Sequence, residues 1–160
     1  DFDHPLLTDS KKLTARQRET LIDVIKNQAI AYAIAEVDHA KIDEINIYKA
    51  SVLAMHKAVE KLAIRPDHLL VDGNRFIEYP FIPHTCIVKG DSKFFSIAAA
   101  SILAKTYRDH WMKEAAEQFP GYGWERNAGY PTIEHRKAVL QKGPTAIHRK
   151  TFRVELKENS

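Results

Sequence analysis

Leu69-Leu-Val-Asp-Gly73 is an apolar run that ends on a carboxylate and then a glycine, and residues 68–72 read as a strand delivering Asp72 to its own C-terminal end. Before it, Pro66 closes a helical stretch that Asn46 opens, in which Val52, Met55, Val59 and Leu62 form one apolar stripe. Asp38 caps a shorter helix running to Ile45, and the small aliphatic residues 29–37 read as another strand. Thr14 with Gln17 has the pattern of a capping box, and Leu21, Ile22 and Ile25 carry that helix to about Asn27. After it, Pro80 and Pro83 break the chain before a strand over residues 86–89. Gly90-Asp-Ser92 leads into the longest helix, residues 93–118, whose Ala98-Ala-Ala100 lets another backbone come close. A loop over 120–129 and a last helix over 132–141, stopped by Gly143-Pro144, complete the pattern. Strands alternating with helices make this an α/β domain, or part of one.

The bulk properties set bounds rather than a function. With 160 residues, 44% of them hydrophobic, the chain has enough apolar material for one real core. A net charge of +3 is compatible with a polyanionic partner and equally with an ordinary solvated surface. The lone Cys86 excludes an internal disulfide, fits a reducing compartment, and is expected to be a buried structural thiol. No apolar run approaches the roughly 18 residues of a membrane span, and Asp1-Phe-Asp-His-Pro5 has no signal-peptide pattern. The expected setting is cytoplasmic, with no membrane partner.

Two carboxylates suggest chemistry. Asp72 at a strand end and Asp109 on the long helix, whose face also carries Lys105, suit hard cations such as Mg2+ or Mn2+. Such ions, about 4 Å apart, serve phosphodiester hydrolysis by stabilising attacking and leaving oxygens together. The same spacing also fits a turn aspartate and a surface helical aspartate. Ser10, Lys11 and Lys12, then Lys89-Gly90, then Arg149-Lys150 are loop groups of the kind that contact nucleic-acid phosphates, or plain surface charges. Tyr130, between Gly129 and Pro131, reads as a plate for a sugar or base, or as a core tyrosine. His135 and His148 near the basic C-terminal stretch are expected at the surface or in caps, because no histidine pair has zinc-site spacing.

Six segments in order resemble ribonuclease HII: Asp9-Ser-Lys-Lys-Leu13, Leu70-Val-Asp-Gly73, Val88-Lys-Gly-Asp91, Ala99-Ala-Ser-Ile-Leu-Ala-Lys-Thr-Tyr-Arg-Asp109, Gly129-Tyr-Pro-Thr132 and Gly143-Pro-Thr-Ala-Ile-His-Arg-Lys-Thr-Phe152. Together they cover nearly the whole chain. The resemblance implies an RNase H-like fold, a mixed sheet flanked by helices with a C-terminal helical segment, as a single domain over residues 1–160. It implies a metal-dependent endonuclease that cleaves the RNA strand of RNA–DNA hybrids and incises DNA at embedded ribonucleotides. Mn2+ or Mg2+ would be held by four carboxylates, of which Asp72 matches the third and Asp109 the fourth. Tyr130 matches the tyrosine near the sugar at the RNA–DNA junction. Ser10, Lys11, Lys89, Ser101 and Arg149 fall in segments expected near the nucleic acid. The family resemblance also suggests a monomer.

The sequence departs from the family's pattern at one end. The Asp-Glu pair of the family's first strand and its Gly-Arg-Gly segment have no match in these 160 residues, and Asp1 and Asp3 lie in an unrelated context. The expectation is therefore a truncated piece of a longer protein, without its first strands. The parent would be active, and the segment alone inactive or very weak. Unpaired strand edges are expected on both sides of the gap. The alternative is a non-catalytic nucleic-acid-binding remnant of the same fold.

Overall fold

The structure is a computed structural model that describes residues 13–152; Ser10 and Lys11 lie outside them. The described residues divide into two compact units. One takes the residues up to Val37 together with Tyr48–Thr106, and the other takes Asp38–Ile47 with the residues from Tyr107 onward.

In the first unit, helix α1 (Ala15–Gln28) starts where its capping box says it should. The Gln17 N–H donates to Thr14 Oγ1 at 3.2 Å, and the Thr14 N–H donates back to Gln17 Oε1 at 2.8 Å. Two helix-end donors are thereby satisfied. Leu21 and Ile25, one turn apart, bury against Ala98, Ala99, Ile102 and Leu103 of the long helix α4 (Phe95–Gln118), with Leu13 closing the cluster. Ala98 and Ala99 supply the low bulk that this approach needs. The buried Arg18 donates from Nη1 to the Leu13 carbonyl at 2.7 Å, which fixes the entry to the helix. Helix α3 (Ile47–Glu60) buries Ala50 and Val52, but Met55 of its expected stripe is exposed.

The sheet of this unit is a parallel pair, β1 (Leu69–Asp72) and β2 (His84–Ile87), in the register Leu69 to His84 through Asp72 to Ile87. Three expectations change here. The second strand lies two residues earlier than the sequence suggests. Pairing begins at Pro83, whose carbonyl accepts the Leu69 N–H, and extended backbone ends before Lys89, which is left-handed at φ 56. Residues 29–37 carry no hydrogen-bonded ladder among the described residues, and without a partner an aliphatic run is not a strand. Cys86 is half-buried rather than buried, and Leu70 is exposed, since two strands leave sheet surface uncovered among the described residues. An isolated antiparallel bridge, Tyr79 to Ile82, tightens the connection between the strands.

In the second unit, α2 (His39–Ile45) is capped by Asp38, which accepts the Lys41 N–H at 2.7 Å. Asn46, expected to open α3, instead closes α2 with φ 71. Around the second half of α4 gather the short α5 (Trp124–Asn127) and α6 (Ile133–Lys142). The loop expected over 120–129 thus contains a helical turn. Met112, Ala115, Tyr122, Trp124, Ala138 and Val139 form this unit's core. Thr132 caps α6 through the His135 N–H. No helix among the described residues is long and apolar enough to cross a membrane.

Candidate functional site

In the first unit, Asp72 is the last residue of β1, and Gly73 turns the chain away at φ 110. One carboxylate oxygen, Oδ1, accepts the Gly90 N–H at 2.8 Å. Gly90 is buried, and a Cβ there would lie 2.6 Å from Ile97 Cδ1 and in ordinary contact, 3.5 Å, with Asp72 Oδ1, so a larger residue would displace the Ile97 side chain. The glycine opens a single 3-10 turn, Gly90–Ser92. Lys89 precedes it in a left-handed conformation that costs a non-glycine residue roughly 1–2 kcal/mol. The turn repays part of this, because the Lys89 carbonyl accepts both the Ser92 N–H and the Ser92 hydroxyl. Lys89 and Asp72 are thus held together by Gly90. Ser101 is half-buried on α4.

In the second unit, Tyr130 is an exposed plate and not a core tyrosine: half its surface is open. Its presentation is built by Asn127, whose side-chain oxygen accepts the Gly129 N–H at 2.9 Å and whose carbonyl accepts the Tyr130 N–H at 2.8 Å. Gly129 is needed at φ 76, and a Cβ there would crowd Met112 and Arg108. Arg108 donates to the Ala128 carbonyl at 3.2 Å and places its guanidinium carbon 5.8 Å from the Tyr130 ring centroid. Asp109, the next residue of α4, is half-buried. Arg149 lies with its guanidinium carbon 3.4 Å from the Phe152 ring centroid. Burial first, and then the like charge of Arg108, push that guanidinium below its ordinary pKa, while Asp43 pulls it back up.

Sequence reasoning missed Arg108 and Asp43. Arg108 lies inside a motif singled out for its neighbour Asp109, and only the fold brings it to Tyr130. Asp43 accepts hydrogen bonds from Lys150 and Thr151, more than a hundred positions away, which no local pattern signals. The histidines differ from expectation too. His135 is buried and stacks on the half-buried His148 at 5.4 Å, beside Tyr122 and Trp124. Trp124 Nε1–H donates to His135 Nδ1 at 3.1 Å, so these rings are structural.

Carboxylate oxygens are the right donors for a hard divalent cation. Among the described residues, however, no group of three or more histidine, cysteine, aspartate or glutamate side chains is gathered. Asp72 and Asp109 each carry such a carboxylate, one in each unit.

Comparison with known proteins gives the family of the chain. The family model for ribonuclease HII covers residues 4–156. The ribonuclease HII of Bacteroides thetaiotaomicron is 56% identical over 154 residues, covering 96% of this chain and 77% of that protein. That of Parabacteroides distasonis is 57% identical over 152 residues, covering 95% and 76%. The crystal structure of the ribonuclease H2 from Pyrococcus horikoshii OT3 superposes with a TM-score of 0.75 at 24% identity, over 93% of this chain and 78% of that one, and shows the RNase H-like α/β fold. A family match across residues 4–156 and relatives more than half identical to it agree: the chain belongs to the ribonuclease HII family, a family of RNase H-type nucleases.

Proposed function

We propose that the protein hydrolyses the RNA strand of RNA–DNA hybrids and incises DNA at embedded ribonucleotides. The observation that carries this reading is the Asp72 carboxylate, fixed at the end of β1 by the Gly90 N–H, within motifs that match the family in order. We read the two units as parts of one RNase H-like domain, which the family match over residues 4–156 supports. Asp72 and Asp109 each offer a carboxylate to Mn2+ or Mg2+. When bound, such ions supply charge that activates water and stabilises the attacking and leaving oxygens of a phosphodiester. The chain's own residues do the rest. Tyr130, open on one face and backed by Arg108, offers a surface on which the sugar at the RNA–DNA junction packs. Lys89 and Arg149, with Lys11 and Ser10, take phosphates and set the register of the duplex, and Ser101 adds a hydroxyl. The 2′-hydroxyl is the group by which RNA is told from DNA.

The test is cleavage of a DNA duplex carrying one ribonucleotide, with Mn2+ added and Asp72→Asn as control. Cleavage that is lost in the control supports Asp72 as a metal ligand. Cleavage that persists in Asp72→Asn would falsify that role. One observation favours a second reading for these 160 residues alone, namely the absence of a group of three ligand side chains among the described residues. In that reading the segment binds hybrid without turnover, with an affinity that falls with salt and ignores Mn2+. Tight, salt-sensitive binding with no product would support it.

A further inference from the structure

Asp43 of α2 commits both carboxylate oxygens to one segment of chain. Oδ2 accepts the Lys150 N–H at 2.7 Å, and Oδ1 accepts the Thr151 N–H at 3.0 Å and the Thr151 hydroxyl as well. An acid beside Arg149 and Lys150 would ordinarily pair with their side-chain cations. This one instead spends its hydrogen bonds on the Lys150 and Thr151 backbone and the Thr151 hydroxyl, which fixes the path of the chain, and it reaches the Arg149 guanidinium only through its charge. On the other side of Arg149 the chain is fixed again. His148 Nδ1 accepts the Thr145 N–H at 2.9 Å, and its ring packs among Tyr122, Trp124 and His135. Arg149 is thus carried on a turn pinned at both neighbours, and the Phe152 ring plates its guanidinium. A cation held so firmly has already lost the freedom that a flexible surface arginine would lose on binding.

We propose that Asp43 is a positioning residue for nucleic-acid binding: by clamping the Lys150-Thr151 backbone it holds Arg149 ready for a phosphodiester of the bound strand. This deepens the reading above and rests on it, since that reading takes Arg149 as a phosphate contact. The sign of the expected effect separates it from simple electrostatics. Removing an acid from a surface that binds a polyanion should tighten binding. Removing a clamp should weaken it.

The experiment is a fluorescence-anisotropy titration of a labelled DNA duplex carrying one ribonucleotide, with EDTA present, across a series of salt concentrations. It compares the 160-residue chain with Asp43→Ala, Arg149→Ala and the double variant. Arg149→Ala should raise Kd roughly tenfold, the scale of one charge-assisted contact, and reduce the salt slope by about 0.9. Asp43→Ala should shift both in the same direction, despite making the chain more positive. The double variant should bind no more weakly than Arg149→Ala alone. Should Asp43→Ala bind as well as or better than the parent chain while Arg149→Ala binds worse, the clamp is refuted and the phosphate contact stands. A double variant showing the full product of the two losses makes Asp43 merely structural and likewise refutes it. An Arg149→Ala variant without effect removes the underlying reading and this inference together. If Asp43→Ala does not fold, Thr151→Val removes only the hydroxyl donor and should give a smaller loss in the same direction; an unchanged Kd there overturns the proposal.

Discussion

At Gly90 an added methyl group would stand 2.6 Å from Ile97 Cδ1, and the buried Ile97 side chain would have to move aside. Gly90→Ala is expected to destabilise the fold by about 1–3 kcal/mol, the range of overpacking in a tight core. Urea unfolding measures it, and a stability unchanged within error would mean that Ile97 yields freely. His148 makes a second expectation at this scale. Burial first, and then the neighbouring His135, hold its pKa below the ordinary 6.5. The folded state thus favours the neutral ring, and its buried Nε2 has no hydrogen-bond partner. For a base whose folded pKa is depressed, the contribution to stability is intact above about pH 6.5 and is lost as pH falls through the folded value. Tm should therefore drop between pH 7.5 and pH 5.5, and His148→Gln should lose much of that dependence. If the variant keeps the same slope, another group is responsible. At this scale the places of Asp72 at a strand end and of Tyr130 just before a helix were legible in the sequence, each flanked by a glycine whose backbone role is local. Arg108 and Asp43 were not, because their partners lie far along the chain.

Helices carry their signals within one or two turns, and α1 shows how completely. Thr14 and Gln17 are three residues apart, and both halves of the capping box form as read. Thr14→Ala should cost about 1 kcal/mol, seen as a lower urea midpoint with an unchanged m-value. Leu21 is fully buried against α4, and Leu21→Ala should cost about 2–5 kcal/mol, depending on how far the neighbouring alanines close the space. A loss below 1 kcal/mol would show that this cluster is not a tightly packed core. Strands behave differently. Residues 29–37 have strand composition and no ladder among the described residues, and β2 begins two residues before the apolar pattern suggested. Strand bounds depend on a partner's hydrogen bonds, here those around Pro83 and Ile87, which composition does not contain.

For the molecule as a whole, a net charge of +3 is small, so binding to a polyanion must come from where the cations stand. With Lys11, Lys89 and Arg149 as phosphate contacts, log affinity against log salt should fall with a slope of roughly −3, and each alanine substitution should remove about 0.9. A slope near zero would exclude phosphate contacts as the source of binding. The family, the capped starts of α1 and α2 and the placing of Asp72 at a strand end were determined by the sequence itself. Each depends on residue types at short, fixed spacings, which the chain reproduces wherever it folds. The tertiary structure alone decided that Gly90 pins Asp72, that Arg108 backs Tyr130, that two histidines belong to a core, and that Asp43 grips the backbone beside Arg149. These are contacts between residues distant in the chain, and only packing selects which distant residues meet.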